Sequence, residues 1–465
     1  MKNVLRCVAF TVITAIIISY VLNVLSLKDT SGGETEYYSA YRQLYNTDKN
    51  MVDVVFLGTS HCYNAIYPAV LWNEYGIAAF DMSVSAQSKR STYHSLKEVL
   101  KTQSPQVVFV EMYGLMNDEY HGEGNIYRNY VTMRSSKNLY DLLKEENEEN
   151  KVAALTKWPI VHTRYRELSK YDFEKKPFDE FGRGAEMRMG DIGGFVNHDY
   201  ATNKAVEEVS VTNKKWIDDL YALSKEKGFE LVLFMAPYSV FEREKAISNG
   251  AYEYATSLGI RYIDMNCDEI FDEMGYDPAT DMMNDFHHND MYGAVKISNY
   301  FGRLIKDDYD VADHRGDESY WQWDKDYTQF VHMFNEYDLT KDLSDSEYLE
   351  YISKLDDTSI IISLDGNFEN ATGYMEYFGI GEDDYSEGGK WIYKNGKAEK
   401  IMSNTLGESH IVSLGKYDSV KLQCMDDTNM NIFYDLYPYV MTEDGLNVLV
   451  YDNFREKLIS ARAFW

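Results

Sequence analysis

The hydrophobic pattern opens with a continuous run. Residues Val4 to Leu27 are free of charge after Arg6. About 20 predominantly apolar residues span a bilayer as a helix. The run ends Asn23-Val24-Leu25-Ser26-Leu27, with no small-x-small cleavage site. It is also long for the apolar core of a signal peptide, so the pattern predicts an uncleaved anchor over residues 1–27. Lys2 and Arg6 precede the span, and the chain turns acidic after Lys28. The positive-inside rule then predicts a cytoplasmic N-terminus and a main body outside the plasma membrane.

Beyond a short polar stretch, the pattern alternates between strand-length apolar runs and helical spacing. Runs at 52–57, 78–82, 106–111, 231–235 and 261–264 read as five buried strands. Thr92 to Leu100 has helical spacing. Trp216, Ile217, Leu220 and Leu223 share one helical face, with Gly228 as C-cap, and Met291 to Ile305 reads as a closing helix. This alternation predicts an α/β domain over 28–306, a mainly parallel sheet covered on both faces. Ligands bind such sheets outside the carboxyl ends of the strands, so the loops of interest begin at Gly58, Asp81, Glu111, Pro237 and Asp264.

The pattern changes after residue 306. Residues 307–344 are acidic and aromatic without clear periodicity and read as a connecting region. Asp345 to Leu355 reads as a short helix. Ser359 to Leu364 starts a β pattern punctuated by Asp365-Gly366, Gly388-Gly389, Asn395-Gly396 and Asp444-Gly445. Asn-Gly between Trp391-Ile392-Tyr393-Lys394 and Lys397 signals a hairpin, and Leu446–Tyr451 with Leu458–Phe464 reads as a final strand pair. Residues 345–465 are therefore expected to form a smaller β-rich accessory domain.

Charge narrows the partners. The 465 residues carry 46 Lys+Arg against 76 Asp+Glu, a formal net charge of −30. A phosphate backbone would be repelled, which argues against nucleic acid. The four cysteines, at 7, 62, 267 and 424, are far apart and contain no CxxC, so no disulfide framework or zinc site is visible.

Two motifs carry candidate chemistry. Gly58-Thr59-Ser60-His61 places a serine directly after a strand and a glycine turn. A serine nucleophile needs a base, and the base needs an orienting group. Asp285-Phe286-His287-His288-Asn289-Asp290 supplies both, because an Asp three residues before a His can orient that imidazole locally. Ser60 as a plain helix cap is the structural alternative, and His287 is the alternative base. His61 reads as a packing residue, and Cys62 has no better placed partner than Ser60. Neighbouring histidines without HExxH do not suggest zinc, and no cofactor is expected. Gln87, Glu111 and Tyr113 lie at strand ends, where substrate contact and structural hydrogen bonding are both open. Tyr320-Trp321-Gln322-Trp323 could stack on sugar rings or clasp the domains together.

These residues resemble the SGNH (GDSL-like) hydrolase family over about residues 50–305. Gly58-Thr59-Ser60 is similar to its nucleophile block, and Asp285 with His288 to its closing Asp-x-x-His. Phe80 to Gln87 is similar to the second block, with Ser83 at the glycine position whose N–H lines the oxyanion hole. In the third block Asn117 stands one residue too far from Gly114. The resemblance implies a three-layer fold, a Ser60–His288–Asp285 triad, and an oxyanion hole from Ser60, Ser83 and Asn117. It is nearest in look to membrane-anchored proteins of teichoic-acid D-alanylation and alginate O-acetylation. That implies a serine esterase or O-acyltransferase on a cell-envelope polysaccharide, beside a membrane-bound O-acyltransferase. The alternative is a non-catalytic glycan-binding or assembly scaffold that keeps the fold. Residues 345–465 resemble interleukin-like EMT-inducer domains, which implies a compact β-rich sandwich and, in some relatives, carbohydrate binding.

Overall fold

The structure is a computed structural model that describes residues 2–25, 35–116, 130, 133–146, 151–157, 165, 173, 182–185, 187, 201–414, 418–424, 432–434, 437–438, 444–454 and 457–464. Two compact units emerge: residues 36–148 with 179–339, and residues 340–465 with 1–35 and 149–178.

The first unit holds five strands: β1 (Val54–Leu57), β2 (Ala79–Asp81), β3 (Val107–Glu111), β4 (Glu230–Met235) and β5 (Arg261–Asp264). They form one sheet in the order β2-β1-β3-β4-β5, and every neighbouring pair is parallel. Helices on the faces bury both sides of the central strands, so these strands read as unbroken apolar runs rather than alternating ones. Phe56, Phe109 and Phe234 on adjacent strands meet Phe301 of the closing helix Met291–Asp308, with Phe56 and Phe109 stacked at 4.9 Å. Each such ring contributes roughly 1.5–3 kcal/mol by burial. The helix Val211–Lys227 buries Trp216, Ile217, Leu220 and Leu223 and ends on Gly228 at φ +81°. This strand order reverses direction between β1 and β3, and such a reversal opens a crevice at the carboxyl ends of the two strands. Ser60 and Glu111 stand at that crevice.

The expected aperiodic connector at 307–344 is corrected by a 20-residue helix, Trp321–Thr340. Trp323, Tyr327, Phe330, Phe334 and Tyr337 recur every three or four residues along it. The last four pack with Tyr67, Val70, Met291 and Ala294. Acidic residues on the other positions hid this period. Trp323 is buried and donates its indole N–H to the Ala79 carbonyl at 3.2 Å, whereas Trp321 is exposed.

In the second unit, β6 (Thr358–Asp365), β7 (Gly389–Lys394), β8 (Lys397–Met402), β13 (Gly445–Asp452) and β14 (Lys457–Phe464) form an antiparallel sheet, β14-β13-β6-β7-β8. A second antiparallel sheet runs β12-β11-β10-β9, from β9 (Ser409–Leu414), β10 (Asp418–Gln423), β11 (Ile432–Tyr434) and β12 (Tyr437–Pro438). Ile360, Ile362 and Leu364 of β6 pack on helix Asp345–Ser353, while Ile361 packs against Val420 and Leu422 of the second sheet. Both faces of β6 are thus covered, which is why it reads as continuous apolar sequence. Asn395 and Gly396 take φ values of +52° and +74°, the left-handed pair that a tight hairpin turn requires.

Among the described residues, one helix is long and apolar enough to cross a membrane. Its apolar core, Val4–Leu22, has mean hydropathy 2.2 and is unburied.

Candidate active site

The site is built on strand ends. β1 runs into Gly58-Thr59, and Thr59 caps the short helix Ser60–Tyr63, its Oγ1 accepting the His61 N–H at 3.3 Å. Ser60 is therefore the first residue of that turn, partly exposed above the sheet. A Cβ at position 58 would lie 2.5 Å from the Glu111 Cβ, so only glycine lets β1 and β3 end this close together.

The loop before the closing helix supplies the candidate base. Ser60 Oγ lies 2.8 Å from His288 Nε2, and His288 Nδ1 lies 2.6 Å from Asp285 Oδ2. Asp285 Oδ1 accepts the backbone N–H groups of His287 and His288 at 2.9 and 3.0 Å. Burial works to raise the Asp285 carboxyl, but these hydrogen bonds and the His288 ring outweigh it and hold it well below the usual carboxylate range. An ionised carboxylate can only accept, so Nδ1 carries the proton and Nε2 is left to accept from the Ser60 hydroxyl. Phe286 takes φ +64° between them, a left-handed conformation costing about 1–2 kcal/mol in a non-glycine residue.

The same loop is pinned from below. Asn289 is fully buried, donating to the Pro237 carbonyl at 3.2 Å and accepting from Tyr276 at 2.6 Å. Asp290 caps the closing helix through the Gly293 N–H at 2.8 Å. At Gly293 a Cβ would lie 2.1 Å from the Asp281 carbonyl oxygen. The motif around His288 thus owes Asn289, Asp290 and Gly293 to anchoring of the loop.

His61 faces its neighbours as a ring. It stacks on Tyr113 at 3.9 Å, and its centroid is 5.6 Å from that of His288. Burial, with the neighbouring imidazoles of His288 and His287, pushes His61 well below its ordinary value, so it is neutral. His287 stacks with Tyr238 at 6.2 Å and has no bond to Ser60. Cys62 is buried 3.4 Å from Asp81 Oδ2, and burial pushes its thiol well up, so it stays protonated.

The other predicted residues lie as follows. Ser83 is buried, and its N–H donates to Asp81 Oδ1 at 2.7 Å, so a ligand oxygen would have to share that donor. The Ser60 N–H has no acceptor among the described residues, and Asn117 lies outside them. Gln87 is buried and spent on the fold: it accepts from Thr92 at 3.0 Å and donates to the Met82 carbonyl at 3.1 Å and to Ser95 at 3.4 Å. Glu111 is buried and accepts from Thr59 and Tyr113, and burial pushes it up to about 7. Tyr113 is partly exposed, and burial pushes it up to about 12. Among the described residues, no group of three or more His, Cys, Asp or Glu is arranged to hold a metal ion. The sequence marks Asp81 only as the start of a strand-end loop; its carboxyl is buried here, and burial pushes it up to about 7.

No family model matches the chain, and no curated protein matches it. A solved structure from Bacteroides fragilis, named as a putative acylhydrolase, is similar at 12% identity over 57% of this chain and 94% of its own, with a TM-score of 0.27. The class defined by the fold itself is an α/β protein with a five-stranded parallel sheet, carrying a separate antiparallel β region.

Proposed function

We propose that this chain is an SGNH-type serine esterase or O-acyltransferase with Ser60, His288 and Asp285 as its triad. The observation that carries the reading is the unbroken hydrogen-bonded path from Ser60 Oγ through His288 to Asp285, formed by residues 228 positions apart. Ser60 Oγ attacks an acyl carbonyl while His288 Nε2 takes its proton, and Asp285 steadies the imidazolium that results. The negative charge on the carbonyl oxygen is met by the Ser60 N–H, with Ser83 and Asn117 as further donors. His288 then returns the proton to the leaving oxygen. The acyl-enzyme passes to water in an esterase, or to a sugar hydroxyl in a transferase. An apolar helix at residues 4–22 fits an anchored protein acting outside the plasma membrane on a cell-envelope polysaccharide, with a membrane-bound O-acyltransferase as acyl-supplying partner. The engaged Ser83 N–H favours the second reading, a glycan-binding scaffold without catalysis.

A fluorophosphonate that labels active serines separates the two. Labelling of the wild type at Ser60, with aryl-acetate turnover lost in Ser60→Ala, is the expected result. An unlabelled, folded wild type contradicts the enzyme.

A further inference from the structure

We propose that Glu111 is a positioning residue that holds Ser60 from both sides along the chain; the proposal rests on the serine-nucleophile reading. Glu111 ends β3, and its carboxylate is buried beside the nucleophile turn. One oxygen, Oε2, accepts the Thr59 hydroxyl at 3.1 Å and the Thr59 N–H at 3.4 Å. The other, Oε1, accepts the Tyr113 N–H at 2.6 Å. Thr59 is the residue before Ser60. Tyr113 stacks its ring on His61, the residue after Ser60, at 3.9 Å and 18°. The Thr59 hydroxyl donates to Glu111 and accepts from the His61 N–H at 3.3 Å, which closes the circuit. The two chain neighbours of the nucleophile are therefore tied to one carboxylate. The absence of a side chain at Gly58 permits the approach.

The arrangement suits an ionised carboxylate: burial pushes Glu111 up to about 7, and above that pH both of its oxygens accept. Every group around it donates, and only a carboxylate offers acceptors on both oxygens. A glutamine there would turn its NH2 toward either the Thr59 donors or the Tyr113 N–H, whichever way its amide lay. One buried donor would then face another donor, and the turn would shift to relieve it. A shift of about 1 Å at a reacting atom costs on the order of 10²-fold in rate. Glu111 does not touch the substrate; it acts through Thr59 and Tyr113.

The test is the fluorophosphonate labelling of Ser60 in the full-length protein, resolved into a maximal rate and a half-saturation constant, with Tm measured alongside. Glu111→Gln should lower the maximal rate by about 10–100-fold with little change in half-saturation. Thr59→Val should lower it less, and Thr59→Ser, which keeps the hydroxyl, should restore it. The Glu111→Gln/Thr59→Val double variant should lose less than the product of the two single effects, because the Thr59–Glu111 contact is shared between them. A folded Glu111→Gln protein labelled at the wild-type rate overturns the proposal, as does a double variant that loses the product of the two single effects. Should Glu111→Gln fail to fold, Thr59→Val decides, and wild-type labelling in that variant overturns the proposal. An unlabelled, folded wild type overturns the serine-nucleophile reading and this proposal with it, whereas a labelled wild type with an unchanged Glu111→Gln rate overturns this proposal alone.

Discussion

Ser60, His288 and Asp285 have a near-counterpart in composition in the β-rich unit, where Ser363, Lys390 and Asp365 also form a hydrogen-bonded chain. Lys390 Nζ donates to Ser363 Oγ at 2.8 Å and to the two Asp365 oxygens at 2.6 and 2.8 Å. Ser363 donates to the same carboxylate. The difference lies in direction and access. In the first chain the base holds a free acceptor toward the serine, and Asp285 remains 44% exposed. In the second, the ammonium has only donors, and Lys390 and Ser363 are both fully buried. A serine beside a base and an Asp thus faces an acceptor at a partly exposed site in one place and joins a buried ion pair in the other.

The largest expected effects fall on the first chain. Asp285→Asn should lower aryl-acetate turnover about 10⁴-fold, because an amide leaves the imidazole in the wrong tautomer. Steady-state kinetics at fixed folded fraction checks it, and activity near wild type would remove Asp285 from the triad. Lys390→Met leaves Asp365 buried without its partner and should destabilise the β-rich unit by about 3–5 kcal/mol. Denaturant unfolding would read that loss, while Ser60 labelling of the folded protein stays unchanged; a loss of labelling would mean the second chain is not merely structural.

The next effect is on pH dependence. Burial raises Asp81 to about 7 in the folded protein, above its ordinary carboxylate value. Between about 4 and 7 the native state then holds a proton that the unfolded chain has released, so stability falls as pH rises through that window. Asp81→Asn keeps an acceptor for the Ser83 N–H and removes the titration. Urea midpoints from pH 4 to 7 should decline less steeply in that variant than in wild type, and equal slopes would contradict the assignment. Smallest is Ser363→Ala, which removes two hydrogen bonds but leaves Lys390 paired with Asp365, worth about 1–3 kcal/mol, with no effect on labelling.

The sequence shows the strands clearly because burial on both faces writes them as unbroken apolar runs, as in Val54-Val55-Phe56-Leu57 and Ile360-Ile361-Ile362. It also shows Ser60, Asp285 and His288, since a glycine turn and a local Asp-x-x-His spacing are short-range features. Helix Trp321–Thr340 is harder to see because acidic residues interrupt its aromatic pattern, and one of them, Asp326, is itself buried in an ion pair with Arg183. The role of Glu111 depends on two strand ends meeting, which no single stretch of chain records. Lys390 is paired across the β6–β7 ladder with Ser363, a register visible only once the strands are aligned. Asp81 likewise has a distant partner, Arg183, whose carbonyl accepts the Asp81 N–H at 2.8 Å from 102 residues away in sequence.

The central claim is that Ser60 is an activated nucleophile. Mass spectrometry of the full-length protein after fluorophosphonate treatment tests it most directly. One adduct is expected, on the peptide containing Ser60, lost in both Ser60→Ala and His288→Ala. An adduct elsewhere, or undiminished labelling in His288→Ala, would contradict it.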